Sequence, residues 1–207
     1  VAKLKAPLMS LGASGALGKA LVFFPWKGLD VVREYVVPSN PKSTAQTTQR
    51  GYLTAVVAAI HTAQALATKA LVELDQVAYA LLGSVQPTPR TWFNEVCRGW
   101  LNQRVAGLRS SIFHGCDITG GDTIITINLY FTDAGSNHIT AGDFWYGKSK
   151  TALNNSVSAS MYSAPYLAIG DLSGLTNGQK YYVQFRPTAH ADFVGVRSGI
   201  YHATPAA

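Results

Sequence analysis

The chain has 207 residues, of which 47% are hydrophobic and 14% charged, and its formal charge is +6. That composition buries a core, excludes a wholly disordered chain, and at this length points to one or two domains. The two cysteines, Cys97 and Cys116, make neither a disulfide framework nor a zinc site, and leave one disulfide open if the chain between them folds back. No membrane span is expected: the most apolar stretch, 53–82, is broken by His61, Gln64, Lys69, Glu73 and Asp75. Nor does the start read as a secretory signal, because Lys3 and Lys5 lead into Ser10, Gly12, Ser14 and Gly15 rather than an apolar run.

Charge is unevenly spread. Residues 1–110 hold 12 Lys/Arg and 5 Asp/Glu, a balance of +7; residues 111–207 hold 5 and 6, a balance of −1. The front half suits an acidic protein surface or nucleic acid.

Taken in chain order, Gly12, Gly15 and Gly18 open a flexible, small-residue segment. An apolar run over 19–24 follows. Pro25-Trp26-Lys27-Gly28 is a turn signal, and the β-branched run over 29–37 answers it, so a β-hairpin is expected. Pro38 and Pro41 end the hairpin. Two strands alone are marginal in water, so this hairpin needs another surface, its own chain's or a neighbour's.

Residues 43–112 read as a helical hairpin. Leu53, Val56, Val57, Ile60, Ala63, Ala67, Ala70, Leu71 and Leu74 keep helical spacing, and the pattern runs to about Leu82, with Gly83 as a stop. Pro87 and Pro89 separate it from a second helix near 91–109, carrying Trp92, Phe93, Val96, Trp100, Leu101, Val105 and Leu108.

From 113 the pattern changes to short strands. In 123–131, Ile125, Ile127 and Leu129 alternate with Thr126, Asn128 and Tyr130. Further strands are expected at 144–148, 157–162, 166–172, 180–187 and 194–202, which together suggest a β-sandwich. The fold class is therefore α+β: an N-terminal β-hairpin and helical hairpin over 1–112, then a β-sandwich over 113–207.

Leu175, Gly178 and Tyr181 sit where the corner before the sixth strand of a fibronectin type III domain carries a Leu, a Gly and a Tyr whose hydroxyl pins the turn. The C-terminal half resembles that family, and the final run from Ser198 to Pro205 resembles its last strand. A Trp on the second strand, usual in that family, is missing, and Trp145 lies later. A second resemblance lies in front. Trp26, Gly28, Arg33, Tyr35, Pro38, Asn40, Pro41, Gln46 and Arg50 follow the order W-K/R-G, R-x-Y-x-x-P-x-N-P, Q-x-x-x-R of a family of small tailed-phage virion proteins. The resemblance implies a structural role in the virion and no enzymatic activity; the motif does not fix the place in the particle, and a capsid decoration or auxiliary protein is expected ahead of a tail component.

Gly142-Asp143-Phe144-Trp145-Tyr146-Gly147-Lys148-Ser149 satisfies the phosphate-loop pattern, yet its aromatic centre favours a strand. The histidines, His61, His114, His138, His190 and His202, are scattered, and a His190–Asp192 pair lacks a nucleophile. No catalytic residue, cofactor or metal site is expected. The candidate assembly interface is Phe23, Phe24, Trp26, Lys27, Arg33, Tyr35 and Arg50, meeting other virion proteins and further copies of the chain. Two alternatives stand beside it. A host-surface glycan would stack on Trp145, Tyr146, Tyr162 and Tyr166, and nucleic acid would meet the basic half, although no known nucleic-acid motif accompanies it.

Overall fold

The computed structural model describes residues 3–4, 13–37, 39–132, 138–163 and 166–206. The architecture is α+β, with an N-terminal β-region, three helices and two C-terminal β-sheets. The chain divides into two compact units, Val1–Ser43 and Thr44–Ala207. Packing therefore puts the helices of the 1–112 region in one unit with the 113–207 sandwich.

The first unit is an antiparallel sheet in the order β1 (Lys3–Leu4), β2 (Ala13–Leu17), β3 (Leu21–Trp26), β4 (Leu29–Glu34). The expected hairpin is β3–β4, but its turn is tighter than the four-residue signal implied. Lys27 and Gly28 alone form it, at φ 49° and 82°, and two positive-φ residues match the twist of the flanking strands. Pro25 stays inside β3 opposite Asp30. A proline is tolerated there because its missing N–H faces the β2 side, where pairing stops at Phe23. The glycine-rich opening, expected as flexible, supplies β2; Gly12 and Pro38 lie outside the described residues.

In the second unit the helical run expected to reach Leu82 is two helices, α1 (Thr44–Gln64) and α2 (Glu73–Ser84). Alanine content favours continuity, but specific contacts override it. The Leu71 N–H donates to the Ala63 carbonyl at 2.9 Å, Lys69 takes φ 55°, and the Asp75 carboxylate accepts the Val72 N–H at 3.1 Å, which starts the new helix. Gly83 is inside α2 and not a stop. Its bareness lets the Arg90 carbonyl approach, since a Cβ would lie 2.6 Å from that oxygen. α3 (Trp92–Val105) is capped by the Thr91 hydroxyl, which accepts the Asn94 N–H at 3.4 Å.

The sandwich has two four-stranded sheets. One runs β5 (Phe113–Gly121), β6 (Ile124–Phe131), β10 (Tyr166–Leu172), β9 (Ser160–Ser163). The other runs β12 (Tyr201–Ala203), β11 (Tyr181–Ala189), β7 (Ala141–Gly147), β8 (Asn155–Ser158). β5 gave no clear alternation and went unforeseen, since a bulge between His114 and Asp117 breaks its period. The single strand expected over 157–162 is two strands in different sheets, hinged at Ala159. The strand expected over 194–202 is regular only from Tyr201. Before it, the Ser198 hydroxyl accepts the Phe185 N–H at 2.9 Å in place of a ladder partner. Ile125, Ile127, Leu129, Phe144, Val183 and Phe185 fill the space between the sheets. Each fully buried side chain of that size contributes about 2 kcal/mol.

The corner expected at Tyr181 is present: its hydroxyl accepts the Thr176 N–H at 3.2 Å. α2 lies across the seam between the two sheets. On one side the Gly115 and Cys116 N–H groups of β5 donate to Asp75 at 2.9 and 3.2 Å. On the other the Ile200 N–H donates to the Ala78 carbonyl at 2.9 Å. One helix thereby covers the edges of both sheets.

Candidate functional site

The candidate assembly residues divide between the two units. Phe23 is buried, at 5% exposed, and anchors the N-terminal sheet. Phe24 is half-buried beneath Arg33, whose guanidinium lies 5.3 Å from the ring centroid. That stacking holds Arg33 over the sheet face, a use of its charge the sequence did not reveal. Trp26 is 59% exposed at the hairpin tip beside exposed Lys27, and Tyr35 is exposed just past β4. Arg50 belongs to the other unit, on the exposed first half of α1. Leu17, Leu29, Val32, Val36 and Val37 are also exposed.

The four candidate stacking aromatics do not share a face. Trp145 and Tyr146 are consecutive on β7 and so point to opposite sides. Tyr146 packs on the sandwich core, while Trp145 faces outward with Arg186 stacked 4.8 Å from its centroid. In the other sheet Tyr166 packs on Phe131 at 5.9 Å, whereas Tyr162 is exposed.

Other chemical motifs resolve structurally. Residues 142–147 of the phosphate-loop pattern are strand β7, which presents no convergent ring of N–H groups. Asp192 lies 3.5 Å from Arg109 Nε and 3.6 Å from His190 Nδ1, a surface cluster without a nucleophile. Cys97 and Cys116 are free and buried, and burial raises both thiols above their ordinary range. Among the described residues no His/Cys/Asp/Glu cluster could hold a metal, and no helix is long and apolar enough to cross a membrane.

A cleft of about 340 Å³ opens between α2, α3 and the segment 195–197. Its wall carries Trp100 and Gln103, one turn apart on α3, and Arg98 and Arg197 line it as well. Arg90 and Glu95 pair at 2.9 Å on its inner side. The sequence placed Trp100 only among the apolar residues of a helix. The signal that marked it was the polar Gln103 one turn on, with Arg104 beside it and now stacked 5.2 Å from the Trp100 ring. No family model, curated protein or solved structure matches the chain.

Proposed function

We propose that the chain is a structural component of a tailed-phage virion, a capsid decoration or auxiliary protein that acts by association and not by catalysis. One observation carries this reading. Among the described residues of the N-terminal unit a single buried large hydrophobic, Phe23, stands against seven exposed ones, Leu17, Trp26, Leu29, Val32, Tyr35, Val36 and Val37. A four-stranded sheet of this size with so small a core gains too little from burial to hold its shape in water, so its stability comes from a surface it docks on.

The docking surface is that of neighbouring virion subunits. β4 is the last strand of its sheet, and an edge of this kind pairs with a strand of another chain. Lys19, Lys27, Arg33 and Lys42 outnumber Asp30 and Glu34 around the apolar strip, which suits an acidic capsid or tail surface. The order W-K-G, R-x-Y-x-x-P-x-N-P, with its resemblance to phage virion proteins, falls on this same region and supports the reading.

The test is light scattering of the full chain at several concentrations and two salt strengths, followed by co-sedimentation with particles. The reading expects salt-resistant oligomers or particle binding, either one abolished by Trp26→Ser with Leu29→Ser. A monomer at every concentration that also fails to sediment with particles overturns it.

A further inference from the structure

The cleft beside α3 contains an unmet hydrogen-bonding requirement. Trp100 is buried, at 9% exposed, and its Nε1–H has no acceptor among the described residues. The Gln103 Oε1 is likewise buried and has no donor. A buried donor or acceptor left unmade costs about 1–3 kcal/mol, so two on one wall are a standing destabilisation. One is a donor and the other an acceptor, and both lie on the same face of α3. A hydroxyl answers both, because its oxygen accepts from the indole while its hydrogen donates to the amide oxygen.

A single water does not account for the space. One water's share of liquid volume is about 30 Å³, and the cleft is roughly ten times that. It falls in the range of sites for ring-sized ligands. The Gln103 amide packs against Gly195, where a Cβ would lie 2.8 Å from Nε2. The bare glycine is what lets that amide stand there, beside the indole N–H on the cleft wall.

The rest of the lining selects by charge. Glu95 is already paired with Arg90, whereas Arg98 and Arg197 are exposed with no ion-pair partner among the described residues. Arg197 also faces Arg186, whose guanidinium is held below its ordinary range by burial and then by the Arg197 charge. An anion placed there relieves that repulsion and finds planar donors suited to a carboxylate.

We propose that this cleft binds an acidic saccharide, with a sugar hydroxyl between Trp100 Nε1 and Gln103 Oε1 and the carboxylate of a uronate toward Arg197 and Arg98. The lining residues all belong to the second unit and do not include Trp145, so the proposal does not depend on the chain being a virion component.

The experiment is calorimetric titration of the full chain with glucuronate, glucose and acetate. Glucuronate is expected to bind, and glucose and acetate at least tenfold more weakly. Trp100→Phe keeps the ring and removes the N–H; Arg197→Ala alters only an exposed charge and keeps the test informative if the first variant does not fold. Each is expected to weaken glucuronate binding about tenfold, the equivalent of about 1.4 kcal/mol. Absence of glucuronate binding overturns the proposal, as does acetate binding equal to glucuronate, which marks an anion site only. Glucuronate affinity unchanged in Arg197→Ala overturns it as well.

Discussion

The Tyr201 hydroxyl donates to Asp75 Oδ1 at 2.9 Å, joining the last strand to the second helix across 126 positions of chain. Asp75 is fully buried and also accepts three backbone N–H groups, from Val72, Gly115 and Cys116. Its two oxygens therefore tie together the start of α2, the bulge of β5 and the final strand. Tyr79 adds a second tie, its hydroxyl accepting the Phe113 N–H at 3.0 Å and donating to the Phe113 carbonyl at 3.2 Å.

Removing one donor from this group differs from removing its acceptor. Tyr201→Phe is expected to cost about 1–2 kcal/mol, one buried hydrogen bond. Asp75→Ala strands four donors at once and is expected to cost more than about 3 kcal/mol. Urea unfolding of both variants measures the difference. Equal midpoints for the two would contradict this account.

Acid is expected to weaken the second unit through His114. The ring is buried and its Nδ1–H donates to the Lys69 carbonyl at 2.7 Å. Burial lowers its pKa from the ordinary 6.5, outweighing that hydrogen bond, which acts to raise it. The unfolded chain therefore takes up the proton first as pH falls. Stability from this group is complete above 6.5 and drains away as pH drops from there toward the lowered folded value. His202, lowered first by burial and then by Lys180, acts with the same sign. Urea midpoints between pH 7.5 and 5 should fall, and His114→Gln should flatten part of that slope.

Gly199 sits where the chain before β12 crosses α2. A Cβ there would lie 2.7 Å from the Ala78 backbone carbon and 2.8 Å from the Tyr79 nitrogen, and neither can swing aside. Gly199→Ala is expected to cost about 2 kcal/mol by overpacking. Gly174→Ala is the comparison: it has open space around it and only its φ of 71° to resist the change. Thermal unfolding of the pair separates crowding from backbone strain, with the larger loss expected at Gly199.

Fragments should show which segments depend on one another. Residues 113–207 alone lose α2 and expose the edges of both sheets, so that piece is expected to aggregate or remain unfolded. Residues 44–207 retain every contact of Asp75 and are expected to give a dispersed amide spectrum. A well-folded 113–207 fragment would show that the helices are dispensable.

How legible all this was depended on how local each cause is. β6 was plain because Ile125, Ile127 and Leu129 alternate with the half-buried Thr126, Asn128 and Tyr130. The corner at Tyr181 was plain because its partner, Thr176, lies five positions away. The break between α1 and α2 was not, because it depends on Asp75 meeting Gly115 and Cys116, some 40 positions on. The exposed strip around Trp26 was readable as an apolar hairpin, although nothing local showed that Phe23 would be buried and Trp26 and Leu29 left exposed. Of the cleft, only the spacing of Trp100 and Gln103 was local, since Arg197 reaches α3 only through the tertiary fold.

The seam that α2 covers has a consequence for synthesis on the ribosome. Asp75 emerges first, and the backbone of β5 can reach it about 40 residues later, but the Tyr201 hydroxyl follows only after 126 positions. β12 pairs with β11 through the same segment, Tyr201 to Ala203. Until β12 emerges the second sheet therefore has an open edge at β11, and the interior is sealed only when that strand leaves the exit tunnel. A nascent chain that stalls before Tyr201 holds a helix docked on one sheet and a second sheet still ready to accept a stranger's strand.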